Sequence, residues 1–135
     1  MRCSLCLTLS AKYWFHKHKI KSLLKDAKTH AKKQNIKFNI NRSDIFNKLK
    51  SQKLRCALSN LKFDENNQVS IDKIIPKRGY VKNNIQFLTK EINIMKSNFD
   101  QNYFIKLCNK IYDFRVLRKG KYKKRTKRGR LTKLG

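Results

Sequence analysis

The chain is short of acidic residues. Eight Asp and Glu stand against 35 Lys and Arg among 135 residues, a formal net charge of +27. All eight acids lie between Asp26 and Asp113, so both ends are purely basic arms around a more mixed centre. A chain this unbalanced repels itself unless a polyanion neutralises it, which makes nucleic acid the default partner. Also missing is any apolar run approaching the ~20 residues of a membrane-spanning helix, so no membrane partner is expected. Four cysteines with one close pair lack the pattern of a disulfide framework, which places the chain inside a cell rather than among secreted proteins. The opening MRCSLCLTLSAKYWF has a basic start and a short apolar stretch, but no small-residue cleavage site follows it. The start is therefore read as retained.

What remains suits one small domain with arms: a basic N-terminal arm over 1–19, a folded region over 20–114 and a basic tail over 115–135. Eleven of the nineteen residues from Arg115 to Lys133 are Lys or Arg, too charged to fold alone. The tail reads as a disordered phosphate grip, with Lys119, Lys121, Lys123, Lys124, Arg125, Lys127, Arg128 and Arg130 as its contacts. Apolar residues at Ile20, Leu23, Leu24, Ala27 and Ala31 predict an amphipathic helix over 20–34. Ile36–Asn41 alternates as a short strand or extended link, and Asn41 or Ser43 can cap a helix over 44–53. Val69–Ile75 and Ile85–Leu88 read as strands joined by a basic loop, Pro76–Asn83. Thr89 is positioned to cap a helix over 90–98. A last helix over 100–112 presents Phe104, Leu107, Cys108 and Ile111 to a core, with Cys108 as a buried small hydrophobe. The sum is an α+β fold with short strands.

The chemistry concentrates in VSIDKIIPKRGYVKNNIQFLTKEINIMKS, from Val69 to Ser97. Asp72 closes a β-branched run, and Asn93 and Lys96 lie on the helix that follows the second strand. A carboxylate and a carboxamide on facing elements can hold one hard cation over a phosphodiester. Lys77, Arg78, Lys82 and Lys96 surround them and read as clamps on flanking phosphates.

The pattern Asp72-Lys73, Asn84 and Asn93-x-x-Lys96 resembles the HNH endonucleases, in particular the small phage-type group. The likeness extends back through AKTHAKKQNIKFNINRSDIFNKLKSQKLRCALSNLKF, with Asn60 in a Gly place, and forward through MKSNFDQNYFIKLCNKI, about 90 residues in all. It implies a ββα-metal finger over about 54–99, preceded by a helical pre-domain and followed by a C-terminal helix. The activity it implies is hydrolysis of DNA phosphodiester bonds with one divalent cation, Mg²⁺ or Mn²⁺. On that resemblance Asp72 and Asn93 are the metal ligands, and Asn84 holds the loop and keeps the base aligned. Gly79 and Tyr80 match the Gly-Tyr of the phage-type loop. Lys73 stands where most members carry the His that activates water. A free Lys titrates near pKa 10.4, so serving as a base takes a downward shift of roughly three units. The open alternatives are metal-bound water as nucleophile, or Lys73 as an electrostatic stabiliser while another group takes the proton. His16, His18 and His30 all lie far upstream, and none is favoured as the base.

Cys3-x-x-Cys6 followed by His16 and His18 resembles half of the zinc ribbon that precedes some phage-type HNH proteins, so Zn²⁺ at Cys3, Cys6, His16 and His18 is a lesser possibility. Ser59, Thr89 and Ile92 occupy the places where a core zinc would need ligands beside Cys56, and apolar packing is expected there instead. The reading favoured is an HNH nuclease acting on DNA in phage-infected bacterial cytoplasm or an organelle, in keeping with a Lys-, Asn-, Ile- and Phe-rich composition. The alternative is a catalytically degenerate HNH fold that binds nucleic acid, with an RNA- or ribosome-associated role among its forms. A zinc-dependent regulator comes third.

Overall fold

Ile20, Leu23, Ala27 and Ala31 fall on one face of a helix, α1 (Ile20–Gln34), and all four are buried in the computed structural model, which describes residues 19–118. The helix ends at Asn35, whose left-handed backbone (φ 53°) returns its N–H to the carbonyls of Ala31 and Lys32. A second helix, α2 (Arg42–Ser51), starts from a capping box. The Asn41 side chain accepts from the Asp44 N–H at 2.9 Å, and the Asp44 carboxylate accepts from the Asn41 N–H at 3.0 Å. Of the two expected caps, Asn41 is the one used. Ile45 and Leu49 of α2 join the buried face of α1 in a core completed by Cys56, Phe63, Val69, Tyr80, Ile85, Phe87 and Leu88.

The strands form two small sheets. β1 (Phe38–Asn39) runs parallel to β3 (Tyr80–Val81), with Phe38 opposite Tyr80. β2 (Val69–Lys73) pairs antiparallel with β4 (Ile85–Thr89), placing Ile71 opposite Phe87 and Asp72 opposite Gln86. The outer side of Phe87 is closed by a side chain. Gln52 accepts from the Phe87 N–H at 2.9 Å and donates to its carbonyl at 2.9 Å, imitating a neighbouring strand. The first core strand stops at Lys73 rather than Ile75, because the N–H groups of Ile74 and Ile75 turn to the backbone and side chain of Asn84. Helix α3 (Lys90–Lys96) follows β4 directly. Thr89 stands at its N-cap, but the expected side-chain cap is not made, and Oγ1 is buried without a hydrogen-bond partner among the described residues.

Gly79 carries a positive φ of 74° with ψ −163°, a region open essentially to glycine, and a Cβ there would run into the Lys37 carbonyl oxygen. That same carbonyl accepts the Tyr80 N–H at 2.8 Å, so Gly79 sits at the joint that docks the basic loop on the segment leading into β1. Gly79→Ala is expected to cost about 2–3 kcal/mol in urea denaturation, from the backbone strain plus the broken joint. An unchanged midpoint would refute this account of the loop.

The described residues up to Asp100 form one compact unit, and a second begins at Gln101. The second holds α4 (Gln101–Tyr112) and one π-helical turn (Asp113–Leu117), so Arg115 belongs to a helical turn rather than opening a tail. Its expected inner face is only partly realised. Phe104 is buried, Leu107 and Cys108 are half-buried, and Ile111 is 64% exposed. No helix among the described residues is long and apolar enough to cross a membrane.

Candidate functional site

Strand β2, Tyr80 of β3, α3 and α1 line an open cleft of about 450 Å³. Asp72 and Lys73 reach it from the end of β2, Asn93 from α3, Tyr80 from β3, and Asp26 and His30 from α1. The strand end delivers Asp72 and Lys73 together, and the short connection from β4 into α3 brings Asn93 back over β2. Asn93 Nδ2 donates to Ser70 Oγ at 3.0 Å and to the Ile71 carbonyl at 3.1 Å. Its Oδ1 is thereby left to act as an acceptor.

Lys96 is not a phosphate clamp. It is fully buried, with Nζ 3.1 Å from Asp72 Oδ2, 3.2 Å from Oδ1 and 3.0 Å from the Lys73 carbonyl oxygen. Gln86 Nε2, directly across the sheet, donates to Asp72 Oδ2 at 2.8 Å. An ammonium with three acceptors on one side has no reason to seek a phosphate outside, which corrects the role expected from sequence. Lys77, Arg78 and Lys82 are exposed on the loop and free to meet a polyanion.

Lys73 has a different environment. It is buried, yet its Nζ has no hydrogen-bond or ion-pair partner among the described residues and lies 5.2 Å from the centroid of the Tyr80 ring. Burial holds its pKa below the ordinary lysine value; Asp72 opposes that shift and Lys96 adds to it. Tyr80 is pushed up to about 12 by burial and by the Asp72 carboxylate, so it stays a neutral phenol. His30 meets Tyr80 edge-on, with ring centroids 6.1 Å apart. Burial, then the Lys73 charge, draws the His30 pKa below 6.5, against a hydrogen bond with Gln34 that works the other way.

Asn84 is buried and gives its whole side chain to the loop. Oδ1 accepts from the Ile75 N–H at 2.9 Å, and Nδ2 donates to the carbonyls of Ile75 and Gly79 at 2.8 Å each. It does not line the cleft.

Whether a hard cation suits this place turns on the donors left over. Carboxylate and carboxamide oxygens are the right type for Mg²⁺, which keeps several waters and takes further ligands from phosphate. Asp72 offers about four lone-pair positions, and Lys96 and Gln86 already make three contacts with its oxygens. One carboxylate also faces two ammonium groups, so the local charge is positive before any ligand arrives. The residues therefore fit a divalent cation in company with a phosphate, not alone. Among the described residues no cluster of three or more His, Cys, Asp and Glu side chains could hold a metal ion. Cys3, Cys6, His16 and His18, and the tail from Lys119 to Arg130, lie outside the described residues.

Asp26, in the cleft wall, and Gln86, which holds Asp72 from across the sheet, were not apparent from sequence, and His30 was read there as too far upstream to be favoured. Asp26 and His30 are one helical turn apart and follow the buried stripe of α1 closely, but no local pattern says which strand that helix covers. Gln86 is fixed by its register opposite Asp72, a signal available only once the strand pairing is known. A scan against protein-family models, and searches of curated proteins and of solved structures, find no match to this chain.

Proposed function

We propose that this chain is an HNH-type nuclease that hydrolyses DNA phosphodiester bonds with one divalent cation, built on a ββα finger formed by β2, β4 and α3. The observation that carries the reading is the convergence of Asp72, Lys73 and Asn93 on a single cleft, one wall of which is a strand end and another the following helix. Lys73 supports it further, because a buried ammonium with no hydrogen-bond or ion-pair partner among the described residues is suited to a phosphate oxygen. The basic loop residues Lys77, Arg78 and Lys82 would hold the flanking backbone. Asp72 and Asn93 Oδ1 would hold Mg²⁺ or Mn²⁺ together with phosphate oxygens, and the ion would supply Lewis acidity to the scissile group. Lys73 would add positive charge where the transition state gathers negative charge.

A second reading, a nucleic-acid-binding module without catalysis, draws on the same positive balance around Asp72. Supercoiled-plasmid nicking with Mg²⁺ or Mn²⁺ separates the two. The wild-type chain is expected to nick, EDTA to stop it, and Asn93→Ala to reduce the rate about 10–100-fold, the scale of a lost metal-site contact. A wild type that binds plasmid but nicks no faster than Asn93→Ala would leave only the binding module.

A further inference from the structure

Hydrolysis needs a group that removes a proton from the attacking water, and the position next to Asp72 holds a lysine. Three of the cleft's side chains are unsuited to the task. Asp72 is engaged by Lys96 and Gln86, the Tyr80 phenol keeps its proton, and the ammonium form of Lys73 has no lone pair to offer. The remaining wall is α1, where Asp26, His30 and Gln34 follow one another at intervals of four and all line the cleft. The small side chains Ala27 and Ala31 are buried beside this row, so nothing bulky holds the helix off the sheet. His30 is placed by ring contact with Tyr80, the same ring that Lys73 Nζ covers, so histidine and ammonium share one aromatic side chain.

We propose, resting on the nuclease reading above, that His30 is the proton acceptor for the attacking water, supplied from the helix preceding the finger. In the step, the water oxygen forms a bond to phosphorus and one water proton passes to the unprotonated imidazole nitrogen. The bond from phosphorus to the leaving sugar oxygen breaks with its electron pair, and that oxygen takes a proton from solvent. His30 then returns its proton to solvent, so protons and charge balance with no redox partner. Gln34 lies one turn beyond His30 on the same face of α1, in the same cleft wall, where its amide can orient the ring. Desolvation at the cleft wall, and after it the positive charge of Lys73, favours the neutral imidazole that can accept a proton. The titratable and charged groups around His30 are Lys33 on its own helix, Tyr80 on β3 and Lys73 on β2, with Asp26, Asp72 and Lys90 lining the same cleft.

The full-length chain is assayed for plasmid nicking with Mg²⁺, and binding to the same DNA is followed by fluorescence anisotropy. His30→Ala is expected to lose about 100-fold or more in rate, the lower range for a general base, with binding unchanged within about twofold. Added imidazole is expected to restore part of the rate, which a merely structural histidine would not allow. The wild-type rate should rise with pH along a limb below about 6.5, since the neutral ring is the active form, and His30→Ala should lack that limb. Wild-type rates in His30→Ala would overturn the proposal while leaving the nuclease reading intact. So would a limb that survives in His30→Ala and disappears in Asp26→Asn. A wild type that never nicks overturns both.

Discussion

Asp72→Ala is expected to lose about 3–5 kcal/mol of folding stability, the scale of a buried pair broken from one side, a large share of the roughly 5–15 kcal/mol that a native domain has. Lys96 is fully buried, and without Asp72 its ammonium keeps only the Lys73 carbonyl oxygen among its present acceptors. Lys96→Met is expected to be comparably harmful, because Asp72 would then stay buried with Gln86 as its hydrogen-bond donor. The paired change Asp72→Leu with Lys96→Met removes both charges at once and is expected to cost much less than the two single changes together. Urea denaturation followed by circular dichroism measures all of these. Equal midpoints for wild type and Asp72→Ala would show that the pair carries no stability.

This result bears on every test of the site. Loss of nicking in Asp72→Ala would follow from unfolding as readily as from a lost ligand. Asn93→Ala, at a half-buried position whose amide serves Ser70 and Ile71, is the more interpretable change. The pair also accounts for the lysine at the end of the Asn93-x-x-Lys96 pattern. One turn of α3 separates the residue that opens to the cleft from the residue that neutralises Asp72 beneath it.

The two core strands, their loop and the helix after them were legible because each has a local cause: β-branched runs, a Pro- and Gly-containing loop, and a helix starting directly after a strand. The resemblance put Asn60 in a Gly place, and the backbone there is left-handed (φ 61°), a conformation asparagine tolerates and glycine prefers. The parallel pairing of Phe38 with Tyr80 was not legible, because it joins two-residue strands about forty positions apart and leaves no periodicity to read. The role of Lys96 was misjudged for a related reason. Composition marks lysine as a surface residue, and only the facing of α3 over the end of β2 shows that a carboxylate waits for it. His30 came into view for the opposite reason: sequence distance hid a residue that helix packing brings to the cleft.

Asn84→Ala is expected to be the other severe change, about 2–3 kcal/mol, because it orphans two backbone groups and takes a second donor from a third. The orphaned groups are the Ile75 N–H and the Gly79 carbonyl, at the two ends of the turn that carries Lys77 and Arg78, while the Ile75 carbonyl keeps the Arg78 N–H at 3.0 Å. Asn84→Asp distinguishes the two halves of the amide. It keeps an acceptor for the Ile75 N–H but sets a carboxylate oxygen against two carbonyl oxygens where Nδ2 now donates. Near pH 7 it should therefore be at least as unstable as Asn84→Ala. Protonation restores one donor, so the carboxyl's folded-state pKa would be raised, and the stability it contributes would be present at low pH and lost as pH rises through that value. Measured against the wild type at each pH, the deficit of Asn84→Asp should be smaller near pH 4 than near pH 7, while that of Asn84→Ala should not change. A pH-independent deficit in Asn84→Asp would mean that the two carbonyls find other donors, and that the loop does not depend on this amide. Tyr80 follows Gly79 directly and forms part of the cleft wall, so a loop released at Asn84 should also shift the aromatic ring against which both Lys73 and His30 are set.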